Sequence, residues 1–90
     1  MDPNQENNLM QVKVYPNPAN SQLIVQWIEQ HPETYSINIK DIQGRSVFQS
    51  TSGKETFIWN TSNVTEGIYV LHLYDAKGHF IFSQKISILH

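Results

Sequence analysis

The 90-residue chain carries eight acidic and six basic residues, a net charge of −2, and no cysteine. These numbers exclude disulfides, thiolate metal sites and thiol catalysis, and they leave no basic stripe for nucleic acid. A chain of this length is one domain that buries only about 60% of the surface its unfolded form exposes, so one efficient core must stabilise it.

No apolar run approaches the ~20 residues of a membrane helix, so no membrane span is expected. Met1-Asp2-Pro3-Asn4 lacks the charged and apolar regions of a signal peptide. Residues 1–10 are polar and Asn-rich, with too little apolar surface to offset the entropy of ordering. They read as a flexible tether from an upstream domain, and residues 11–90 as the folded unit.

Gln11–Tyr15 is the first strand candidate, with Val12 and Val14 on one face. Tyr15-Pro16-Asn17-Pro18 then makes a stiff corner, because proline lacks the N–H of a sheet ladder and restricts the residue before it. A rigid connection accounts for this corner without a binding role. Gln22–Ile28 follows, with Leu23, Val25 and Trp27 inward, and Glu29–Glu33 is a polar connection. Thr34–Lys40 has the cleanest period-2 alternation, with Tyr35, Ile37 and Ile39 facing the core.

Asp41-Ile42-Gln43-Gly44 leads to a fourth strand, Arg45–Gln49, and Asp75-Ala76-Lys77-Gly78 joins Gly67–Tyr74 to His79–Leu89. In each group Asp accepts hydrogen bonds from the backbone ahead of it and Gly takes the positive φ of a type I turn closed by a bulge. Thr56–Asn60 is a short strand, with Phe57 and Trp59 opposite Ile58, before the turn-rich Thr61–Glu66. Seven strands without a helix define a seven-stranded antiparallel β-sandwich of immunoglobulin-like type; a small barrel is the alternative.

The terminal hairpin carries a parity conflict. Three-residue pairing puts Tyr69, Leu71, Leu73 and Ile81 on one face, whereas Ile86 and Ile88 share the parity of Phe80 and Phe82. A bulge near Ser83–Lys85 resolves the conflict and is the preferred reading. Without it, Val70, His72, Tyr74, Phe80 and Phe82 form an apolar outer stripe.

No chemistry is legible. His31, His72, His79 and His90 lack ligand spacing, the carboxylates fall in turns and loops, and no nucleophile triad or phosphate loop occurs. No enzyme and no cofactor are expected. Asn60-Thr61-Ser62 and Asn63-Val64-Thr65 match a glycosylation pattern that is frequent by chance. Trp27, Trp59 and the tyrosines are candidates for a sugar-stacking platform, but core packing is preferred, since the register sends Trp27 inward.

Four segments in order, Val14–Pro18, Ile39–Val47, Glu66–Leu71 and Gln84–Ile88, resemble the C-terminal sorting domain of the type IX (Por) secretion system, over nearly all of Val12–His90. The resemblance implies a signal domain on an upstream cargo in the same polypeptide. Such cargo passes through the periplasm, is recognised at the outer-membrane translocon, and reaches the cell surface or medium. A sortase-like cysteine peptidase removes the domain, here in or near Glu6–Met10.

By position the family motifs fall on Tyr15, Pro16, Asn17 and Pro18; on Gly44 and Arg45; on Gly67 and Tyr69; and on Lys85, Ile86 and Ile88. Most are fold-setting residue types, while Arg45 and Lys85 are candidates for receptor contact. The family often has two basic residues before its last apolar pair; here Gln84 precedes Lys85. An open terminal-strand edge at Lys85–Leu89, beside the Pro16–Pro18 corner, is the expected recognition surface, and weak self-association is an allied expectation. The competing class is a non-catalytic carbohydrate- or protein-binding module of a larger secreted protein.

Overall fold

The computed structural model describes residues 11–28, 34–52 and 56–90. Seven strands follow in order: β1 (Gln11–Tyr15), β2 (Gln22–Ile28), β3 (Tyr35–Asp41), β4 (Ser46–Ser52), β5 (Thr56–Asn60), β6 (Gly67–Tyr74) and β7 (Phe80–Ile88). They form a three-stranded sheet, β1-β2-β5, and a four-stranded sheet, β4-β3-β6-β7, with every neighbouring pair antiparallel. The expected sandwich is therefore the fold. The tether assigned to residues 1–10 and the polar connection 29–33 lie outside the described residues.

The core follows the period-2 pattern. Leu23, Val25 and Trp27 of β2 face Tyr35, Ile37 and Ile39 of β3 and Leu71 and Leu73 of β6, all buried, and Ile86 and Ile88 complete the floor. Aromatic rings join the sheets: Trp27 meets Tyr35 edge-on at 5.4 Å between centroids, and Trp59 stacks on Phe48 at 5.6 Å and meets Tyr69 edge-on at 6.0 Å. Such pairs each add about 0.5–1.5 kcal/mol beyond the area they bury. Both tryptophans are almost completely covered, at 2% and 6% exposure, so a sugar-stacking platform built on them does not form.

The two turns share one construction. Asp41 Oδ1 accepts from the backbone N–H of Gln43 and Arg45, both at 2.9 Å, and Asp75 Oδ1 accepts from Lys77 and His79 at 2.9 and 2.8 Å. Gly44 and Gly78 take φ values of +85° and +86°. Two residues beyond each glycine's successor the ladder shifts by one: Lys40 pairs with Ser46 but Ile39 with Phe48, and Tyr74 with Phe80 but Leu73 with Phe82. Val47 and Ile81 are the extra residues.

The second shift resolves the parity conflict, but it lies at Ile81 and not at the expected Ser83–Lys85. The turn pulls Phe80 to the solvent face opposite Tyr74, whereas Leu73 and Tyr69 require apolar partners, and one bulged residue satisfies both. Phe82 and Ile86 consequently pair on the core face with Leu73 and Tyr69. Phe80 stays outside, 59% exposed, against the rings of His72 and Tyr74.

Candidate functional site: the motif end of the sandwich

Antiparallel pairing brings three of the four motif segments to one end of the four-stranded sheet. Asp41, which opens the first turn, pairs with Tyr69; Tyr69 pairs with Ile86, and Gly67 with Ile88. The corner after β1 lies on the far side of β7, where Ala19 forms a parallel bridge to Ile88. Gly44 and Arg45, Gly67 and Tyr69, and Lys85 through Ile88 thus form a row across the sheet end, with Asn17 of the corner beside it, while Tyr15 stays in β1 of the other sheet, paired with Ile24.

The corner continues the sheet with a side chain. Both proline peptides, Tyr15-Pro16 and Asn17-Pro18, are cis. Beyond β1 the chain crosses from the three-stranded sheet to the outer edge of β7. There Asn17 Oδ1 accepts from the N–H of Ser87 at 3.0 Å, and its amide nitrogen lies 3.5 Å from the carbonyl of Lys85. Ala19 follows with backbone bonds: its N–H donates to Ser87 O and its carbonyl accepts from Leu89 N–H, both at 2.8 Å. The asparagine amide stands in for a peptide group where proline has no N–H to offer.

This arrangement corrects the expectation of an open edge from Lys85 to Leu89. The terminal strand and the corner do meet, but the corner occupies the backbone groups that a docking strand would need. Among the described residues, the Phe80–Gln84 half of the outer edge of β7 has neither a strand nor a contact from the corner beside it.

Tyr69 is buried in the core, and its hydroxyl donates to the Thr65 carbonyl at 2.6 Å. A tyrosine early in the sixth strand that bonds four residues upstream is the tyrosine corner of immunoglobulin-like sandwiches. Gly67 adopts φ +154°, which only glycine tolerates. A groove of about 350 Å³ separates Thr65–Tyr69 from the Asp41–Arg45 turn, edged by Ile42, Val47 and Ile68.

Electrostatics at this end are mostly internal. Arg45 Nε contacts Asp41 Oδ2 at 2.9 Å. The Arg45 backbone N–H is the main cause that holds the Asp41 carboxyl below the ordinary carboxylate value of 3.8; desolvation opposes it, and the Arg45 guanidinium and the Gln43 N–H add to the lowering. Arg45 is therefore a paired, exposed cation. Lys85 is exposed and has no ion pair among the described residues.

One set of contacts was not legible in the sequence. The His90 N–H donates to Glu66 Oε2 at 2.8 Å, and its ring nitrogens lie 2.7 Å from Asn20 Oδ1 and 2.8 Å from the Val64 carbonyl. No periodicity marks these residues, because they lie in connections. No group of three or more His, Cys, Asp or Glu arranged to hold a metal occurs among the described residues.

The fold and the motif row define a class: a small two-sheet module whose shared motifs mostly set turns, edges and core contacts. A family model described as the secretion system C-terminal sorting domain matches residues 13–88. The chain belongs to that family, whose members are the C-terminal secretion signals of the type IX system. Membership implies interaction with the secretion system and passage through the periplasm to the cell surface or beyond.

Among solved structures, the chain resembles PorZ, described as an essential bacterial surface component of the type-IX secretion system of Porphyromonas gingivalis. The TM-score is 0.71 with 24% identity, covering 88% of this chain and 11% of that one. The likeness is one of fold, and the chain spans about a ninth of that protein's length. No curated protein matches the sequence.

Proposed function

We propose that this chain is the non-catalytic export signal of a cargo protein, read as a folded object by the outer-membrane translocon. In this reading a sortase-like cysteine peptidase then removes it in or near Glu6–Met10. The observation that carries the proposal is the convergence of three motif segments on one end of one sheet, where Asn17 of the fourth caps the terminal strand. Residues that only maintained a sandwich would be spread through it.

Within that end, Gly44, Gly67, Tyr69, Asn17, Ile86 and Ile88 serve by shaping the surface. Their side chains or torsions fix the turn, the strand entry, the edge cap and the floor. Lys85 and Arg45 are the exposed cations beside them.

The test is a reporter carrying an N-terminal export signal and fused to Met1–His90, expressed with and without the translocon. A second fusion stops at Ser83. Delivery to the surface or medium that needs both the translocon and β7 supports the proposal. Retention of a folded full-length fusion in the periplasm of the translocon-containing host overturns it.

A further inference from the structure

The outer face of the four-stranded sheet differs from the rest of the molecule. Its outward residues on β3 are Ser36, Asn38 and Lys40, because Tyr35, Ile37 and Ile39 are buried. On β6 they are Ile68, Val70, His72 and Tyr74, and on the motif half of β7 they are Lys85 and Ser87. No carboxylate lies among these positions, although the whole chain is net acidic.

One cross-strand row holds both lysines: Lys40 pairs with Val70, and Val70 with Lys85. Two strand spacings separate the lysine backbones by about 10 Å. Val70 stands between the two lysines in the ladder, and Ile68, two residues along the same face of β6, is 41% exposed. The nearby carboxylates are already engaged, Asp41 with Arg45 and Glu66 with the His90 N–H. Neither lysine has an ion pair among the described residues.

We infer that the Lys40–Val70–Lys85 row, backed by Ile68, is the surface that docks the secretion machinery, and that it takes an acidic protein patch: two carboxylates about 10 Å apart flanking an apolar side chain. The inference rests on the export reading above. Charge complementarity selects the occupant. An acidic surface gains both cations, and docking against the apolar centre desolvates them, where a charge pair discriminates most. A second copy of this chain is a poor occupant, since the same face would oppose lysine to lysine. The row also explains a division among the motif residues. Ile86 and Ile88 fix the terminal strand in the core so that Lys85, between them and the bulge, points outward in register with Lys40.

The experiment uses the reporter fused to Met1–His90. The wild-type fusion must first show translocon-dependent export; if it does not, the export reading fails and the docking surface is not in question. Given export, Lys40→Glu with Lys85→Glu is expected to lower the exported fraction by about tenfold or more, the scale on which losing desolvated interfacial charge pairs weakens binding. Lys40→Arg with Lys85→Arg retains export. Lys13→Glu with Lys77→Glu, an equal change of net charge placed on the other sheet and in a turn, also retains it.

Melting of the purified variants separates docking from folding. If the double reversal melts as wild type does and is exported at the wild-type level, the inference is overturned. It is equally overturned if the Lys13/Lys77 pair loses as much export, because net charge would then be the cause. Wild-type binding to phosphatidylglycerol vesicles at physiological salt that disappears in the Lys40/Lys85 reversal would assign the face to an anionic lipid surface and overturn the choice of a protein partner.

Discussion

Replacing Tyr69 by Phe isolates one contact. The ring remains in the core, so no cavity forms, and only the hydrogen bond to the Thr65 carbonyl at 2.6 Å is lost. A net hydrogen bond contributes about 0.5–1.5 kcal/mol. Thr65 is exposed, so water can solvate the freed oxygen and keep the loss near 1 kcal/mol. For a domain of this size that lowers the melting temperature by about 4–8 °C. Total stability is on the order of 4–14 kcal/mol, so the variant stays folded at ordinary temperature and its reporter fusion is still exported. Tyr69→Ala, which also removes the ring beside Trp59, costs about 3–5 kcal/mol by the scale for large aromatics. Urea and thermal unfolding of both variants check the reasoning. A Tyr69→Phe melting temperature within about 1 °C of wild type would remove the tyrosine corner as a stabilising contact. A loss as large as that of Tyr69→Ala would show that the hydroxyl does not act alone.

Other expectations follow from the same geometry. Gly67→Ala meets no atom within 4 Å, so its whole cost is torsional, about 1–3 kcal/mol; wild-type behaviour in urea would contradict the strained entry to β6. Asn17→Ala exposes the Ser87 amide to faster hydrogen exchange, whereas Asn17→Asp retains the acceptor and most of the protection; equal exchange in both variants would contradict the side-chain cap. Asp41 and Asp75 have carboxyl values lowered mainly by the backbone N–H of Arg45 and of His79. Their contribution is complete above the ordinary 3.8 and is lost as pH falls through the lower folded values. Thermal stability therefore declines in that acid range, and Asp41→Asn with Asp75→Asn flattens the decline. Because Trp27 and Trp59 are buried, sugars are expected to leave tryptophan fluorescence unchanged in a titration.

The strands were legible because most alternate strictly. Leu23, Val25 and Trp27, and likewise Tyr35, Ile37 and Ile39, repeat every second residue, and one register alone buries each set. The turns were legible because Asp and Gly at that spacing satisfy one backbone geometry. The bulge was legible only as a need. Parity demanded an extra residue between Phe80 and Ile86 without naming its place, since Ile81 is as apolar as the core residues near it. What the sequence concealed is contact between distant connections. The corner at Asn17 reads as a rigid link, and its pairing with Ser87, 70 residues away, leaves no local pattern. The same holds for His90 with Asn20, Val64 and Glu66. Lys40 reads as an ordinary solvent residue of an alternating strand, and only the order β3-β6-β7 places it in one row with Lys85.

The extra residue in β7 gives that strand two independent counting systems. From the turn, position is counted forward from Asp75 and Gly78 and ends at Phe80. From the core, it is counted backward from Ile88 and Ile86 and ends at Phe82. Ile81 absorbs the difference, as a leap day reconciles two calendars. Deleting it leaves Tyr74 opposite Phe80 and Leu73 opposite Phe82, with Lys85 still outward. Deleting Ser83 instead forces the choice between turning Lys85 to the core face opposite Leu71 and drawing Ile81 into the ladder to make up the count. The bulge thereby lets the motif-bearing half of the strand keep its core register when one residue is lost on the turn side.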